Sequence, residues 1–301
     1  MSTGFLFPVS GLRFSMPPVV GRRKHGADAM RLTPRFAFGL ATILLPLLAA
    51  GPTLAEPTAR ELLDKARGLN ETTRKWTDRT QQMAVTIVDR RGGERHRQMR
   101  IYYKKYPQDR NKTLLFFEEP SDVKGVGFLQ WADPHDKDAQ WLYLPELKRP
   151  PRQISGGAKR ESFAGTDFSY DDLSIIGQLT DWTEADARTQ LLRTETIDGT
   201  PAHVIELTPV GKEVGYAKIL AWLRADDLTI VKYEMWNGGE EPEKVLTMTD
   251  IRQVGAIPTP FRMEMKNLRG GSRTDVRITE TAYDSGLSDD QFTQRTLERG
   301  P

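Results

Sequence analysis

Two periods divide this chain. At positions 58–69 apolar residues recur at helical spacing: Leu62, Ala66 and Leu69 share a stripe that Leu63 widens. Glu61 and Lys65 form a pair four apart on the polar side, and Gly68 and Asn70 mark the stop. A helix is therefore predicted over 58–69. Beyond it the period falls to two. Met83, Val85 and Ile87 alternate with Ala84, Thr86 and Val88, and a turn follows at Asp89-Arg90-Arg91-Gly92-Gly93. The same reading predicts strands near 95–106, 112–118, 127–131, 140–144, 188–197, 202–207, 216–224, 229–236, 244–254, 259–267 and 274–283. Turn residues such as Asp198-Gly199, Asp226-Asp227 and Gly270-Gly271 stand between them. So many strands in succession, joined mostly by short loops, describe an antiparallel meander.

One stretch breaks the alternation. Positions 145–182 hold Pro150-Pro151 and Gly156-Gly157, then an apolar segment in which Ser169 can cap a short helix over 170–179. Asp171 and Asp172 fall in its first turn, where carboxylates suit the helix dipole. No linker or internal repeat follows residue 55, so residues 56–301 are read as a single domain.

The N-terminal segment follows a different logic. Arg31 and Arg35 precede an apolar run at 36–50, and Thr53-Leu54-Ala55 is a small-x-small cleavage signal. The run holds Pro46 and is shorter than the roughly 20 apolar residues of a spanning helix. Residues 30–55 are therefore read as a cleaved signal peptide rather than an anchor. Met30 is then the expected start, and residues 1–29 a non-native upstream extension or disordered tail. This changes the charge balance. The whole chain carries 43 basic and 41 acidic residues. Without residues 1–55 these fall to 37 and 40, a net charge of −3. The basic character belongs to the leader, and nothing argues for nucleic acid as a partner. The chain has no cysteine, so it has no disulfide, thiolate metal site, cysteine nucleophile or lipidated N-terminal cysteine.

A closed barrel of about eight strands is filled by its own side chains. A longer meander must split into a sandwich, take a plug or leave a cavity. Two strands are apolar on both faces, Leu114-Leu115-Phe116-Phe117 and Trp141-Leu142-Tyr143-Leu144. Such strands lie either under a covering layer or with one face on a pocket. Leu114, Phe116, Trp131, Trp141 and Tyr143 are the candidates for a cavity wall, with ordinary core packing as the alternative. Phe163, Phe168, Tyr170, Leu173, Ile175 and Ile176 are the candidates for a lid, or else they pin that loop to the sheet. Asp167 and Asp172 could be paired catalytic carboxylates. Helix capping with an ion pair to Lys148, Arg149 or Arg152 is the plainer account. The charged run of Arg90, Arg91, 95–100, Lys104 and Lys105 could meet anionic headgroups, or form a solvated hairpin. The four histidines share no metal spacing, and no nucleophile elbow, zincin helix, P-loop or dinucleotide fingerprint is present. No metal, cofactor or catalytic residue is expected.

The segment at 141–173 reads WLYLPELKRPPRQISGGAKRESFAGTDFSYDDL. Trp141, Tyr143, Leu144, Pro145, Leu147, Lys148 and Arg149, then Ile154-Ser155-Gly156, then Phe163 and the run from Gly165 to Leu173 follow a recognisable pattern. It resembles the LolA-like outer-membrane lipoprotein-sorting family, in the periplasmic branch related to the treponemal LolA-like protein. Tyr216-Ala217-Lys218-Ile219, Ile257-Pro258-Thr259-Pro260 and Leu287-Ser288-Asp289-Asp290-Gln291-Phe292 extend the likeness across 58–296. The departure is Pro150-Pro151, where proline ends strand pairing. The resemblance implies a mainly β, half-open antiparallel β-barrel of about 11 strands, with an N-terminal helix and a short helical lid (LolA/LolB-like). It implies a non-enzymatic periplasmic carrier of lipid or lipoprotein acyl chains, monomeric, serving outer-membrane lipoprotein sorting or an inner-membrane RND-type transporter. The competing reading is a non-catalytic envelope module that docks a protein partner through 147–162.

Overall fold

The computed structural model describes residues 56–133, 138–211 and 214–300. Residues 1–55, read above as a signal peptide preceded by an upstream extension, lie outside the described residues. Helix α1 (Ala59–Glu71) starts at a capping box: the Glu61 N–H donates to Thr58 Oγ1 at 3.2 Å, and the Thr58 N–H donates to Glu61 Oε2 at 2.8 Å. Its predicted stripe is the face that buries Leu62, Leu63 and Ala66.

The chain then enters the middle of a single sheet. Strand β1 (Asp78–Val88) is followed by β2 (Glu94–Lys105), β3 (Asn111–Glu119), β4 (Gly127–Ala132), β5 (Ala139–Tyr143) and β6 (Arg152–Ile154), each antiparallel to the one before. The crossover segment carries 3₁₀ turns and helix α2 (Tyr170–Gln178) to the other edge. There β7 (Ala187–Ile197), β8 (Thr200–Pro209), β9 (Lys218–Arg224), β10 (Ile230–Trp236), β11 (Lys244–Val254), β12 (Ile257–Asn267) and β13 (Ser272–Tyr283) meander back. Strand β13 closes the circuit by pairing with β1. The sheet has 13 strands, in the order β6-β5-β4-β3-β2-β1-β13-β12-β11-β10-β9-β8-β7, and β6 and β7 do not pair with each other. It is a half-open, LolA-like antiparallel arrangement. The strand count exceeds the expected 11 or so, in part because β6 has only three residues after Pro150-Pro151, too few to show a period of two.

Register decides which residues meet. Across β1–β5 one row runs Gln81, Ile101, Leu115, Phe128, Leu142, and a parallel row runs Arg79, Tyr103, Thr113, Gln130, Gln140. These point to the inner face, toward α1 and α2. The intervening rows, Tyr102, Leu114, Leu129, Trp141 and Arg100, Phe116, Gly127, Tyr143, point outward. A C-terminal helix, α3 (Gln294–Arg299), covers the outer rows with Phe292 and Leu297, both fully buried. Gly127 lets it come close: a Cβ there would stand 2.7 Å from Leu297 Cδ1 and 2.7 Å from Phe116 Cε1.

Candidate functional site

The inner face of the sheet does not fill itself. Between it and the crossover segment lies a cavity of about 820 Å³. Met83 and Val85 of β1, Met99 and Ile101 of β2, Leu115 of β3 and Phe128 of β4 form one wall. Met248, Met263, Val276 and Ile278 of β11–β13 continue this wall across the β1–β13 pairing. Four of these side chains, Met83, Met99, Met248 and Met263, are methionines, flexible and polarisable enough to adapt to a guest. Phe163, Phe168, Leu173 and Ile176 of the crossover face the same space.

The crossover is held as a lid by its carboxylates. Ser169 and Asp172 form a capping box for α2, with the Ser169 N–H donating to Asp172 Oδ2 at 2.7 Å. That oxygen also accepts from Lys244 Nζ at 2.7 Å, while Asp172 Oδ1 accepts from the Tyr216 hydroxyl at 2.6 Å. Asp172 is fully buried, and Lys244 nearly so. The neighbouring Asp171 accepts from the Gly215 N–H at 3.0 Å, and burial pushes its pKa above the ordinary carboxylate range. Asp167 accepts from Ser272 Oγ and, at 2.7 Å, from Thr274 Oγ1. The Tyr216 hydroxyl is pushed well up by its burial and then by the Asp172 carboxylate. Aromatic packing completes the attachment: the Phe163 ring lies 5.6 Å from Phe117, 5.5 Å from Phe128 and 5.6 Å from Tyr170.

The lid candidates therefore divide. Phe163, Phe168, Leu173 and Ile176 border the cavity, whereas Tyr170 and Ile175, both on α2, are buried but do not line it. All five wall candidates stand elsewhere. Leu114, Phe116, Trp141 and Tyr143 lie on the outer face, and Trp131 beside them donates from its indole N–H to the Phe292 carbonyl at 2.9 Å. These residues do lie together, but register turns them to the face away from the cavity. In a strand apolar on both faces, nothing local distinguishes odd from even positions, and one residue of offset exchanges the faces. The true wall residues Leu115 and Phe128 were within reach, because Thr113 and Gln130 in the same inward rows are polar and mark the wetter end. The ion pair of Asp172 is with Lys244, a distant residue, and not with Lys148, Arg149 or Arg152.

At that wetter end the cavity changes character. Trp76 stands 5.3 Å from both Tyr103 and Tyr283, ring to ring. Lys105 Nζ lies 4.0 Å above Trp76, and the Arg79 guanidinium 5.4 Å from Trp76 and Tyr103. Arg67, Arg74 and Arg110 also line this end. Burial lowers the pKa of Lys105. Burial, then Asp109, pushes Asp181 up to about 6, while Arg67 and Lys105 oppose the rise. Among the described residues there is no group of three or more His, Asp or Glu able to hold a metal, and no helix is long and apolar enough to cross a membrane.

A family model described only as an uncharacterized protein matches residues 109–299. No curated protein matches the chain. Three solved structures are similar to it. A provisionally named outer-membrane lipoprotein-sorting protein domain from Vibrio parahaemolyticus is 27% identical, with a TM-score of 0.72 over 80% of this chain and 98% of that one. A DUF1329 family protein from Desulfovibrio piger is also 27% identical, with a TM-score of 0.71 over 78% of this chain and 97% of its own. A LolA superfamily protein from Nitrosomonas europaea shares the fold at 20% identity, with a TM-score of 0.59 over 79% of this chain and 98% of its own. The sheet order, the lid sequence and these likenesses agree: the chain belongs to the LolA-like outer-membrane lipoprotein-sorting family.

Proposed function

We propose that this protein is a non-catalytic periplasmic carrier that shelters acyl chains of a lipid or lipoprotein between its sheet and its lid. The observation that carries this reading is the apolar cavity of about 820 Å³, which falls in the upper part of the roughly 300–1,000 Å³ range of ligand sites. The energetics ask for such a shelter. Moving an acyl chain from membrane into water costs about 0.8 kcal/mol per methylene, so about 12 methylenes cost roughly 10 kcal/mol. That is about seven orders of magnitude in free concentration. Walls of Met, Leu, Ile and Phe offset most of this cost without a covalent step.

The fate of the carboxylates supports a binding role over a hydrolytic one. Both oxygens of Asp167 and both of Asp172 are engaged in holding the lid. Neither is free to activate water. The proposed setting is lipoprotein sorting, which the similarity to a sorting domain supports, or RND-linked lipid transport, with an inner-membrane RND-type transporter as the partner that loads or unloads the carrier.

Native mass spectrometry of freshly purified full-length chain tests the carrier reading. The expected spectrum shows a mass increment that gentle organic extraction removes and that fragments as a lipid. A spectrum of unliganded protein alone, from cells and after incubation with membrane lipid, would sink the idea. In-cell crosslinking from the lid surface tests the transporter; capture of no inner-membrane protein removes that part.

A further inference from the structure

The charged end of the cavity has an organisation that the storage of apolar chains does not require. Lys105 and Arg79 sit on adjacent strands, on the inner face, two register positions apart. Cross-strand diagonal neighbours of this kind are about 7–8 Å apart at the backbone, close enough for two long side chains to converge on one small group. Both border the cavity. Arg67 and Arg74, by contrast, are committed to the protein. Arg67 donates to the Trp182 carbonyl at 3.2 Å and lies 3.9 Å from Asp64. Arg74 donates to the Asp227 carbonyl at 2.6 Å and lies 3.9 Å from the Asp227 carboxylate.

Lys105 and Arg79 have no such commitment. Among the described residues no carboxylate oxygen lies within 4.0 Å of either cation. Arg79 Nε is shielded from solvent and has no hydrogen-bond partner. Their near neighbours are the faces of Trp76 and Tyr103, which accept a cation but leave its hydrogen-bond donors unused. A partly desolvated cation with idle donors is costly unless something else satisfies it. Asp181, Asp109 and Glu71 act on Lys105 only from a distance, and they are outnumbered by Arg67, Arg74, Lys75, Arg79, Lys105 and Arg110 in the lining. The net sign presented to a guest at this end is positive.

We propose that Lys105 and Arg79 bind the anionic head, a carboxylate or a phosphate, of the amphiphile whose chain occupies the apolar interior, so that the cavity selects acidic lipids. This rests on the carrier reading and adds a selectivity to it. The geometry also fixes orientation: the chain lies inward along Ile101, Leu115 and Phe128, and the head stays at the Trp76 end.

The test separates chain from head. The full chain is delipidated and loaded with the neutral dye N-phenyl-1-naphthylamine, whose fluorescence reports a filled apolar cavity. Three competitors with the same palmitoyl chain then displace it: palmitate, palmitoyl-lysophosphatidylglycerol and neutral monopalmitoylglycerol. At least one anionic competitor is expected to bind about tenfold or more tightly than the neutral one, the size of a charge-assisted hydrogen bond. Whichever anion wins identifies carboxylate or phosphate as the head. In Lys105→Gln and Arg79→Gln the preference is expected to shrink to within about threefold while dye affinity stays unchanged, and Lys105→Arg is expected to keep it. Equal affinity of all three competitors for the wild type overturns the proposal, as does an undiminished preference in both glutamine variants that still bind dye. Failure of the wild type to bind dye or any competitor overturns the carrier reading itself, a result distinct from lost selectivity.

Discussion

Strands β3–β5 are covered on both sides, and the two covers are opposite in kind. On the outer face, α3 presses Phe292 and Leu297 onto Leu114, Phe116, Leu129 and Trp141, leaving an apolar contact with room for no Cβ at Gly127. On the inner face, Leu115, Phe128 and their neighbours meet a lid across a void of about 820 Å³. The outer cover is packed against the sheet over much of its area, with exposed or half-buried polar ties from Trp131, Lys104 and Tyr106 at its edge. The inner cover is held at its margin by buried polar contacts through Asp167, Asp171 and Asp172, so its middle is free to stand clear of the sheet. The sealed face takes most of its attachment from contact area in its middle. A face meant to admit a guest takes its attachment from directional bonds placed beside the guest's space.

This contrast can be broken most severely at the lid. Asp172→Ala removes the partner of buried Lys244 and is expected to cost about 3–5 kcal/mol, read from urea denaturation. Retention of wild-type stability would mean that the lid is not fixed by this carboxylate. The next test uses adjacent residues of one strand. Leu114→Ala opens a new hole in the sealed face and is expected to cost about 4 kcal/mol. Leu115→Ala enlarges an existing void and is expected to cost about 2 kcal/mol, the lower end of the same range. Equal losses would erase the distinction between the faces.

A titration sharpens the picture of the open end. The folded pKa of Asp181, about 6, stands above the ordinary carboxylate value because the group is buried. As pH rises the unfolded chain loses this proton first, so stability falls between about pH 4 and 6, and the full penalty is present above about pH 6. Asp181→Asn is therefore expected to be more stable than wild type by about 1–2 kcal/mol at pH 7.5, allowing for partial solvent screening, and to gain nothing at pH 3.5. Thermal melts at the two pH values check this; a gain independent of pH would refute the assignment. The smallest change in stability is expected for Ile101→Trp, which puts an indole into the void at a cost below about 1 kcal/mol. Its expected effect is on cargo, a loss of most co-purifying lipid by mass spectrometry. The same change made outward, Leu147→Trp at an exposed position, should leave lipid content intact.

Much of the fold was legible before any coordinates. Ser169 caps the helix that begins just after it, the stripe of Leu62, Leu63 and Ala66 marks the first helix, and alternation locates most strands to within a few residues. These are local facts: a cap bonds its own first turn, and a strand's period is written in its neighbours. The short β6 and the six-residue α3 escaped because neither is long enough to establish a period. The lid could be recognised from the family-like run at 163–173, but not its anchors. Nothing local connects Asp172 to Lys244, or Asp167 to Thr274 across a sequence separation of 107 residues.

The sequence by itself determined that this chain forms a long antiparallel meander with two capped helices, because those choices depend on residues within a turn or two of each other. Only the tertiary structure decided which side of the apolar strands is hollow. Leu114 and Leu115 are chemically the same, and their fates differ through the helix that arrives from the far end of the chain. The same holds for Lys105, which belongs to a charged run in the sequence and which register turns inward, with Arg79 of the neighbouring strand, beside Trp76. Facing is a property of pairing between distant strands, and pairing is settled by the fold as a whole.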